Sequence, residues 1–186
     1  TPSLFSGTVE MDETYVGGSA RNMHKRKRAK LPARGTFSLA PAIGVLRRAK
    51  DGKPSQVRAT TISDTKKAAV HGFVRAHVAP GAFIATDQFL SYNGLADTYD
   101  HQKVDHQAGE YVNGRVTTNG IENFWALLNR GLNGTYVQVA PRHLFRYIDE
   151  RVFTFNERHL NDLGRFSLVL SRVTGRRLTY AALTGK

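Results

Sequence analysis

The order of strand-like and helix-like segments constrains the fold of this chain more than any other feature of its sequence. Three segments rich in β-forming residues come before the first helix, at residues 7–16, 35–48 and 56–62. An Asp-Gly pair at 51–52 separates the second from the third and is a strong signal for a tight hairpin turn. Pro41 is expected to interrupt the second segment. The chain should therefore open with three antiparallel strands.

Helices and strands alternate in the rest of the chain. In order, the patterns predict a helix over 64–79, a buried strand over 82–86, a short helix over 88–95, a strand over 101–104, a loop over 105–117, and helices over 119–130 and 141–158. This order, β-β-β-α-β-α-β-α-α, is typical of the RNase H-like fold, an α/β fold whose mixed five-stranded sheet is flanked by helices.

No internal repeat or linker divides the 186 residues, so we expect one domain. Residues 19–34 would form a basic insertion loop in it. Residues 141–186 would form a helical and basic tail, whose last part, 165–186, is weakly patterned.

Positive charge dominates the composition. The chain has 27 Lys and Arg residues against 15 Asp and Glu, a formal net charge of +12, and a polyanion is the usual partner of so basic a domain. Because cysteine is absent, disulfides, thiolate nucleophiles and cysteine-based zinc sites are excluded in this chain. No apolar run approaches the ~20 residues that cross a bilayer, and the N-terminus shows no signal-peptide core. We therefore expect a cytoplasmic, nucleoid-associated protein without a membrane partner.

The densest positive charge lies in residues 19–34, which contain no acidic residue. Self-repulsion favours an extended segment until a polyanion neutralises it. Although such a run is more often a solvated loop, the net charge of the chain makes it a candidate for contact with a nucleic-acid backbone. The candidate DNA-binding residues are Arg21, Lys25, Arg26, Lys27, Arg28, Lys30 and Arg34.

Three acidic residues fall where metal-dependent phosphodiester chemistry needs them. Asp12 lies near the middle of the first strand and Asp87 directly follows the fourth, and these positions are neighbours in an RNase H-like sheet. Glu122 lies at the edge of an apolar helical stripe, where it can lean over the end of the sheet. Two Mg²⁺ ions ~3.5–4 Å apart, which stabilise the charge of such a reaction, require carboxylate ligands. The three acids are therefore candidate metal ligands and catalytic residues.

Each of these acids also has a simpler interpretation. An isolated Asp in a strand is more often a solvated residue, Asp87 could serve as a helix N-cap, and Glu122 favours the helix dipole without any chemistry. Only their combination on one topology, in a chain of charge +12, favours the metal site. The seven histidines show no ligand spacing, and we assign His101 and His106 to the surface or to support of the site.

Four longer segments carry a family resemblance. They are VEMDETYVGG (9–18), ATDQFLSYNGL (85–95), TNGIENFWALLNRGLNGTY (118–136) and HLFRYIDERVFTFNER (143–158). In this order and spacing they resemble the ISXO2-like DDE transposases of the IS1595 insertion-sequence group. The resemblance implies an RNase H-like catalytic domain that cuts and joins DNA with two divalent ions, Mg²⁺ or Mn²⁺. It also implies double-stranded DNA, from transposon ends and target, bound by a homodimer or higher oligomer.

The resemblance assigns roles by position. Asp12 and Asp87 match the family's two aspartates, and Glu122 matches the third acidic position. Asn119 in the same motif is an alternative, because some members are described with Asn in the third role. Where relatives typically carry Lys, this chain has Asn129, so the contact to end DNA falls to Asn129 or to Arg130. Relatives also commonly carry an N-terminal zinc ribbon and DNA-binding region, so we expect a trimmed catalytic domain or a truncated copy.

Three functions stay open at this point. The first is a DNA strand transferase, the second a non-catalytic DNA-binding remnant of such an enzyme, and the third an RNase H-like nuclease that does not join strands. The first is favoured over the second because a binding module gains nothing from three acids that face a polyanion. Trp125 shares the apolar stripe of its helix, so we expect it in the core and not in a base-stacking position.

Overall fold

A computed structural model describes residues 3–17, 39–104, 116–136 and 139–184. Its strands are β1 (Thr8–Gly17), β2 (Leu39–Arg47), β3 (Gln56–Thr61), β4 (Phe83–Thr86) and β5 (Asp100–Lys103). Its α-helices are α1 (Lys67–His77), α2 (Asn119–Gly134), α3 (Leu144–Asn156), α4 (Asp162–Val173) and α5 (Tyr180–Thr184). The α/β class predicted from the sequence is confirmed.

The central strand of the sheet is β1, and the strand order is β3-β2-β1-β4-β5. β1 pairs antiparallel with β2, and β2 pairs antiparallel with β3, as the predicted meander requires. On its other side β1 pairs parallel with β4, and β4 pairs parallel with β5. The predicted mixed five-stranded sheet is therefore confirmed, and β1 is the strand at which the two pairing modes meet.

A two-residue turn joins the β2 and β3 arms of the hairpin. Lys50 and Lys53 exchange two backbone hydrogen bonds of 3.1 and 2.9 Å across the turn. Asp51 and Gly52 at its tip have φ angles of 51° and 75°. A type I′ turn needs positive φ at both positions, which Asp and Gly tolerate better than most residues. The hairpin predicted from the Asp-Gly pair is confirmed.

Helices cover both faces of the sheet. Side chains alternate along a strand, so Val9 and Met11 of β1 point to one face, where they pack with Val70, Phe73 and Val74 of α1. Helices α2 and α3 cover the opposite face, with the apolar stripe of α2 buried in a second core. The even-numbered residues of β1 point to this second face, which is the face that carries the candidate acids.

Trp125 lies in the second core, where only 4% of its surface is exposed, as predicted from the α2 stripe. Its indole ring fills the space above Gly44 in β2. A Cβ atom added at Gly44 would lie 2.9 Å from Trp125 Cζ2 and 3.1 Å from Ile121 Cδ1. Because no side chain stands between them, α2 approaches β2 closely, which fixes the height of this helix above the sheet.

Several element boundaries differ from the sequence prediction. Pro41, expected to interrupt β2, lies within the strand and pairs with Tyr15, while its carbonyl accepts a hydrogen bond of 3.0 Å from the Ile62 N–H. Two short 3₁₀ turns, Leu90–Tyr92 and Leu95–Asp97, replace the short helix predicted at 88–95.

The two predicted C-terminal helices also change at their ends. α2 continues to Gly134 instead of ending at Arg130. A 3₁₀ turn, Pro141–His143, precedes α3, because proline suits a first helical position but cannot donate a backbone hydrogen bond. The predicted loop at 105–117 lies mostly outside the described residues.

The tail is more regular than its weak pattern suggested. α4 begins after Asn161, whose side-chain oxygen accepts a hydrogen bond of 2.8 Å from the Gly164 N–H and thereby caps the helix. α4 leaves five large apolar side chains more than 40% exposed. These side chains are Leu163, Phe166, Val169, Leu170 and Val173. In the described part of the chain, no helix is long and apolar enough to cross a bilayer.

Substitution of Trp125 by Ala should lower the free energy of unfolding by ~3–5 kcal/mol, the usual cost of removing a large aromatic side chain from a core. Urea unfolding followed by circular dichroism measures this change. Trp125→Phe, which keeps most of the ring contacts with Gly44 and Ile121, is the control and should cost clearly less. A loss below ~1 kcal/mol for Trp125→Ala would show that Trp125 contributes little to the stability of the core.

Candidate active site

The register of the central strands brings Asp12 and Asp87 together. β1 and β4 run parallel with Glu10 opposite Ala85, and continuing this register past the end of β4 leads to Asp12 and Asp87. The charge of Asp87 acts on Asp12, so the two carboxylates lie near each other. Neighbouring strands lie ~4.8 Å apart. Asp12 Oδ1 accepts the Glu13 N–H at 2.9 Å, and Asp87 Oδ1 accepts the Phe89 N–H at 3.0 Å. Both carboxylates are therefore oriented by the backbone beside them.

A buried ion pair attaches helix α2 to β1. Glu10 is only 3% exposed. Its Oε1 accepts from Arg48 Nε at 2.6 Å, and its Oε2 accepts from the Ile121 N–H at 2.9 Å. Arg48 also donates to the Thr117 carbonyl at 2.8 Å, just before α2 begins. Glu10 thus accepts a hydrogen bond from one of the free N–H groups at the start of α2. Its negative charge also interacts favourably with the positive end of the helix dipole.

A glycine makes this attachment possible. A Cβ atom added at Gly120 would lie 2.7 Å from Glu10 Oε2, inside van der Waals contact. Since Glu10 is held by both Arg48 and Ile121, its carboxylate has little freedom to move aside. The first turn of α2 can therefore sit against β1 only with Gly at this position.

This attachment places Glu122 near the two aspartates. Glu122 follows Ile121 directly, its side chain is exposed, and it accepts a hydrogen bond from the Thr118 hydroxyl. Its charge contributes to the raised pKa of Asp12, so the two carboxylates are within electrostatic reach. Asn119, the alternative for the third role, is the first residue of α2 and is also exposed.

Asp12 lies in the most unfavourable environment for negative charge at this site. Burial, together with the charges of Glu13, Asp87 and Glu122, raises the pKa of its carboxyl from 3.8 to about 7. The carboxylates of Asp12, Asp87 and Glu122 repel one another, and a cation bound by them would relieve that repulsion. A site of this kind attracts a divalent cation.

The chemistry of these donors fits Mg²⁺ or Mn²⁺, which prefer carboxylate oxygens. In the described ranges, however, no three acidic or histidine side chains are gathered closely enough to form a complete metal cluster. The carboxylates are near enough to raise the pKa of Asp12 but do not converge on one point. A bound cation would have to draw Glu122 toward the aspartates, a movement that an exposed side chain can make.

Glu13 and Tyr92 belong to the site although sequence reasoning did not single them out. Glu13 points to the face of β1 opposite Asp12, where it accepts a hydrogen bond from the fully buried Tyr92 hydroxyl. Burial raises the pKa of Glu13, and burial together with the Glu13 charge raises that of Tyr92. Tyr92 lies five residues after Asp87, so this bond ties the segment that follows Asp87 to β1.

A second contact supports the end of β4. The buried Thr86 hydroxyl donates to the Asp87 carbonyl at 2.7 Å and lies 2.8 Å from His101 Nε2. The direction of the hydrogen bond between Thr86 and His101 depends on the tautomer of the His101 ring. Burial, with the charges of Lys103 and His71, lowers the pKa of His101 to about 4, so the ring is neutral at pH 7. His101, expected at the surface or in support of the site, has the supporting role.

The structure describes only some of the predicted DNA-binding residues. Asn129 and Arg130 lie two turns beyond Glu122 on α2, half-buried and exposed respectively. The residues Arg21, Lys25, Arg26, Lys27, Arg28, Lys30 and Arg34 lie outside the described part of the chain.

Comparison with known proteins gives a family match. The profile of a family described as ISXO2-like transposase domain matches residues 4–156, which is most of the chain. Comparison with curated proteins finds no match.

Among solved structures, the chain is similar to one in the cryo-EM structure of the simian T-cell lymphotropic virus intasome in complex with PP2A regulatory subunit B56 gamma. The sequence identity is 13% and the TM-score 0.47. The match covers 85% of this chain and 50% of the other, so the present chain spans about half the length of that relative.

The pKa of Asp12 should make the metal-free protein less stable as the pH rises. Between pH ~4 and ~7 the folded chain keeps a proton that the unfolded chain releases, so this contribution to stability is complete at pH 4 and lost above pH 7. Asp12→Asn keeps the shape without the charge. In EDTA, it should be as stable as the wild type at pH 4 and more stable by ~2–4 kcal/mol at pH 8.

Urea unfolding of both proteins across this pH range measures the difference. The opposite titration of His101 is present in both proteins and cancels from the difference. Parallel pH profiles for wild type and variant would show that Asp12 ionises normally.

Proposed function

The chain belongs to the ISXO2-like transposase domain family, and on that premise we propose that it is a catalytic domain that cleaves DNA at insertion-sequence ends and joins it to a target. Its mixed sheet with flanking helices is consistent with an RNase H-like fold. We propose that the 186 residues form one such domain. The double-stranded DNA of transposon ends and target would be its substrate, and a homodimer or higher oligomer on DNA, in the cytoplasm at the nucleoid, its working form.

The observation that carries the proposal is the raised pKa of Asp12. β1 places the half-buried Asp12 beside Asp87, and the charge of Glu122 also acts on Asp12. This concentration of negative charge does not help to stabilise the fold. Such an arrangement is destabilising unless a cation occupies it, and perturbed carboxylates of this kind cluster at functional sites.

Asp12, Asp87 and Glu122 would hold two Mg²⁺ or Mn²⁺ ions. When bound, such ions activate a water or a 3′-hydroxyl and stabilise the charge that develops on the attacking and leaving oxygens. Asp12 on the central strand, Asp87 and Glu122 would be the ligands of these ions. Glu13 and Tyr92 would act as positioning residues, because their hydrogen bond ties the Asp87 segment to β1. Asn129 and Arg130 would contact end DNA.

Glu122 is the better candidate for the third position. Both Glu122 and Asn119 lie in the first turn of α2 with exposed side chains. Only Glu122 carries a charge that acts on Asp12. An amide oxygen can bind a divalent ion, but it neutralises no charge.

A non-catalytic DNA-binding remnant is the second candidate function. The positive charge of the chain favours it, since +12 is enough for binding without any chemistry. The cluster around Asp12 disfavours it, because four carboxylates weaken contact with a polyanion. A nuclease that does not join strands would share the same site, and only a joining assay separates it from a transposase.

Asp12→Asn, Asp87→Asn and Glu122→Gln should each reduce Mg²⁺- or Mn²⁺-dependent nicking of end DNA by at least ~100-fold while the fold and DNA affinity stay nearly intact. Each change is close to isosteric and removes a charge that would hold a cation. Gel assays of nicking and strand joining, with Asp100→Asn on exposed β5 as the matched control, measure the effect. Nicking close to wild type in one variant would remove that residue from the triad, and for Glu122 attention would pass to Asn119.

The basic run should contribute non-specific affinity for DNA. Replacing Lys25, Arg26, Lys27 and Arg28 by Ala should reduce the slope of log Kd against log salt concentration by about two to four, since each lost phosphate contact with duplex DNA removes ~0.9. Fluorescence anisotropy with a labelled random-sequence duplex at several salt concentrations measures this slope. An unchanged slope would mean that the run is only a solvated loop.

A further inference from the structure

The sheet end opposite the candidate acids carries a concentration of unneutralised positive charge. We call it the hairpin surface. It consists of five basic residues from the end of β2, the β2–β3 turn, helix α3 and the turn after α3: Arg47, Lys50, Lys53, Arg151 and Arg158. None of these residues was expected from the sequence to contact DNA.

The turn itself holds two like charges against each other. Lys50 and Lys53 form a directly opposed pair across the type I′ turn, and both side chains are exposed. Like charges at directly opposed positions destabilise a hairpin. Asp51 at the tip supplies one negative charge for the two lysines. The arrangement costs stability in the free protein, and a bound anion would offset that cost.

The arginines of the hairpin surface bind neutral groups. Arg158 donates to the Ser55 carbonyl and hydroxyl at 3.0 and 2.7 Å and stacks on the Phe155 ring at 4.3 Å. Arg47 donates to Gln56 Oε1 at 3.1 Å. Arg151 packs against Gly131 of α2. In the part of the chain that the structure describes, none of these three forms an ion pair with a carboxylate, so no acidic side chain neutralises their charge there.

Arg48 lies close to the hairpin surface but is not part of it. It lies next to Arg47, but its charge is taken up by the buried Glu10. Arg48 therefore has a structural role, while the residues around it keep their charge for a ligand.

A groove extends from the hairpin surface along helix α2. A cavity of about 680 Å³ lies between β2, α2 and α3, with Arg151 and Arg158 on one wall. Its opposite wall includes Gly120 and Asn123, which flank Glu122 along α2. The Glu10–Arg48 ion pair also lines the groove, whereas Asp12, Asp87 and Glu122 do not.

The spacing suits a duplex. Arg47 stands opposite Val9, three residues before Asp12, and Lys50 lies three residues beyond Arg47. At ~3.3 Å per residue, the lysines are ~20 Å from Asp12 along the sheet. This is the length of about six base pairs at 3.4 Å each. DNA whose scissile phosphate lay at the acids would extend its backbone over the hairpin surface.

We propose that the hairpin surface binds the phosphate backbone of duplex DNA about six base pairs from the position of cleavage. The proposal rests on the function proposed above, because it takes the acids as the place of cleavage. An anchor one half-turn of duplex away holds the DNA without adding charge to the site itself.

The test compares Lys50→Ala/Lys53→Ala with Lys66→Ala/Lys67→Ala in the full chain. Both double variants remove two exposed lysines and the same charge, but Lys66 and Lys67 lie at the start of α1, on the other face of the sheet. Fluorescence anisotropy with a labelled 30-base-pair duplex, from 50 to 300 mM salt in EDTA, gives the slope for each. Circular dichroism confirms that both variants are folded.

The hairpin variant should lower the salt slope by about 1–2, and the α1 variant should leave it unchanged, since each lost contact removes ~0.9. Equal slopes for the two variants would overturn the proposal, whether both fall or neither does. A third variant, Arg151→Gln, should lower the slope by ~1 and tests the groove separately from the turn.

Two further readouts separate this proposal from the proposed function. If the wild type nicks DNA with Mg²⁺ or Mn²⁺ but the hairpin variant keeps its slope, only the hairpin proposal fails. If the slope falls as expected but the wild type never nicks DNA, the surface is a DNA contact and the proposed catalytic function fails. If shortening the duplex on one side of the cleavage position to fewer than six base pairs does not abolish the difference between hairpin variant and wild type, the stated distance is wrong.

Discussion

The carboxylate of Glu10 is the interaction on which the rest of the site depends. It is buried between Arg48 and the first turn of α2, and it binds both. Removing one partner of such a pair leaves an uncompensated buried charge, which typically costs ~3–5 kcal/mol. Because Glu10 and Asp12 lie two residues apart on the same face of β1, the ion pair that holds α2 also sets how far Glu122 stands from Asp12. The residue that attaches α2 and the candidate catalytic residue Asp12 therefore lie on the same strand.

β1 separates two kinds of acidic residue by its alternation. Glu10 and Asp12 point to the face of α2, and Glu13 points to the face of α1, where the Tyr92 hydroxyl binds it. Three acids within four residues thus have three different environments: a buried ion pair, a carboxyl with a raised pKa, and a hydrogen-bonded carboxyl. A strand can do this because its side chains alternate, whereas a helix would place residues three apart on one face.

The features that depend on local pattern could be predicted from the sequence. Alternation of apolar and polar residues predicted β1, and the Asp-Gly pair predicted the hairpin. The apolar stripe of α2 predicted the burial of Trp125. The features that depend on distant partners could not. Glu10 looked like one more polar residue on a strand, and its burial depends on Ile121, which lies 111 positions away. Tyr92 gave no local signal either, because the contacts that bury it exist only in three dimensions.

Gly44 and Gly120 have a consequence for how this protein would respond to random mutation. One lets Trp125 rest on the sheet, and the other lets the first turn of α2 rest against Glu10. Neither has a functional group, yet any side chain at either position would push α2 outward and carry Glu122 with it. A survey of tolerated substitutions would therefore rank these two glycines with the acids. Intolerance to substitution at these positions would reflect the required distance between two backbones. A map of the active site based on such intolerance alone would include two residues that never touch the substrate.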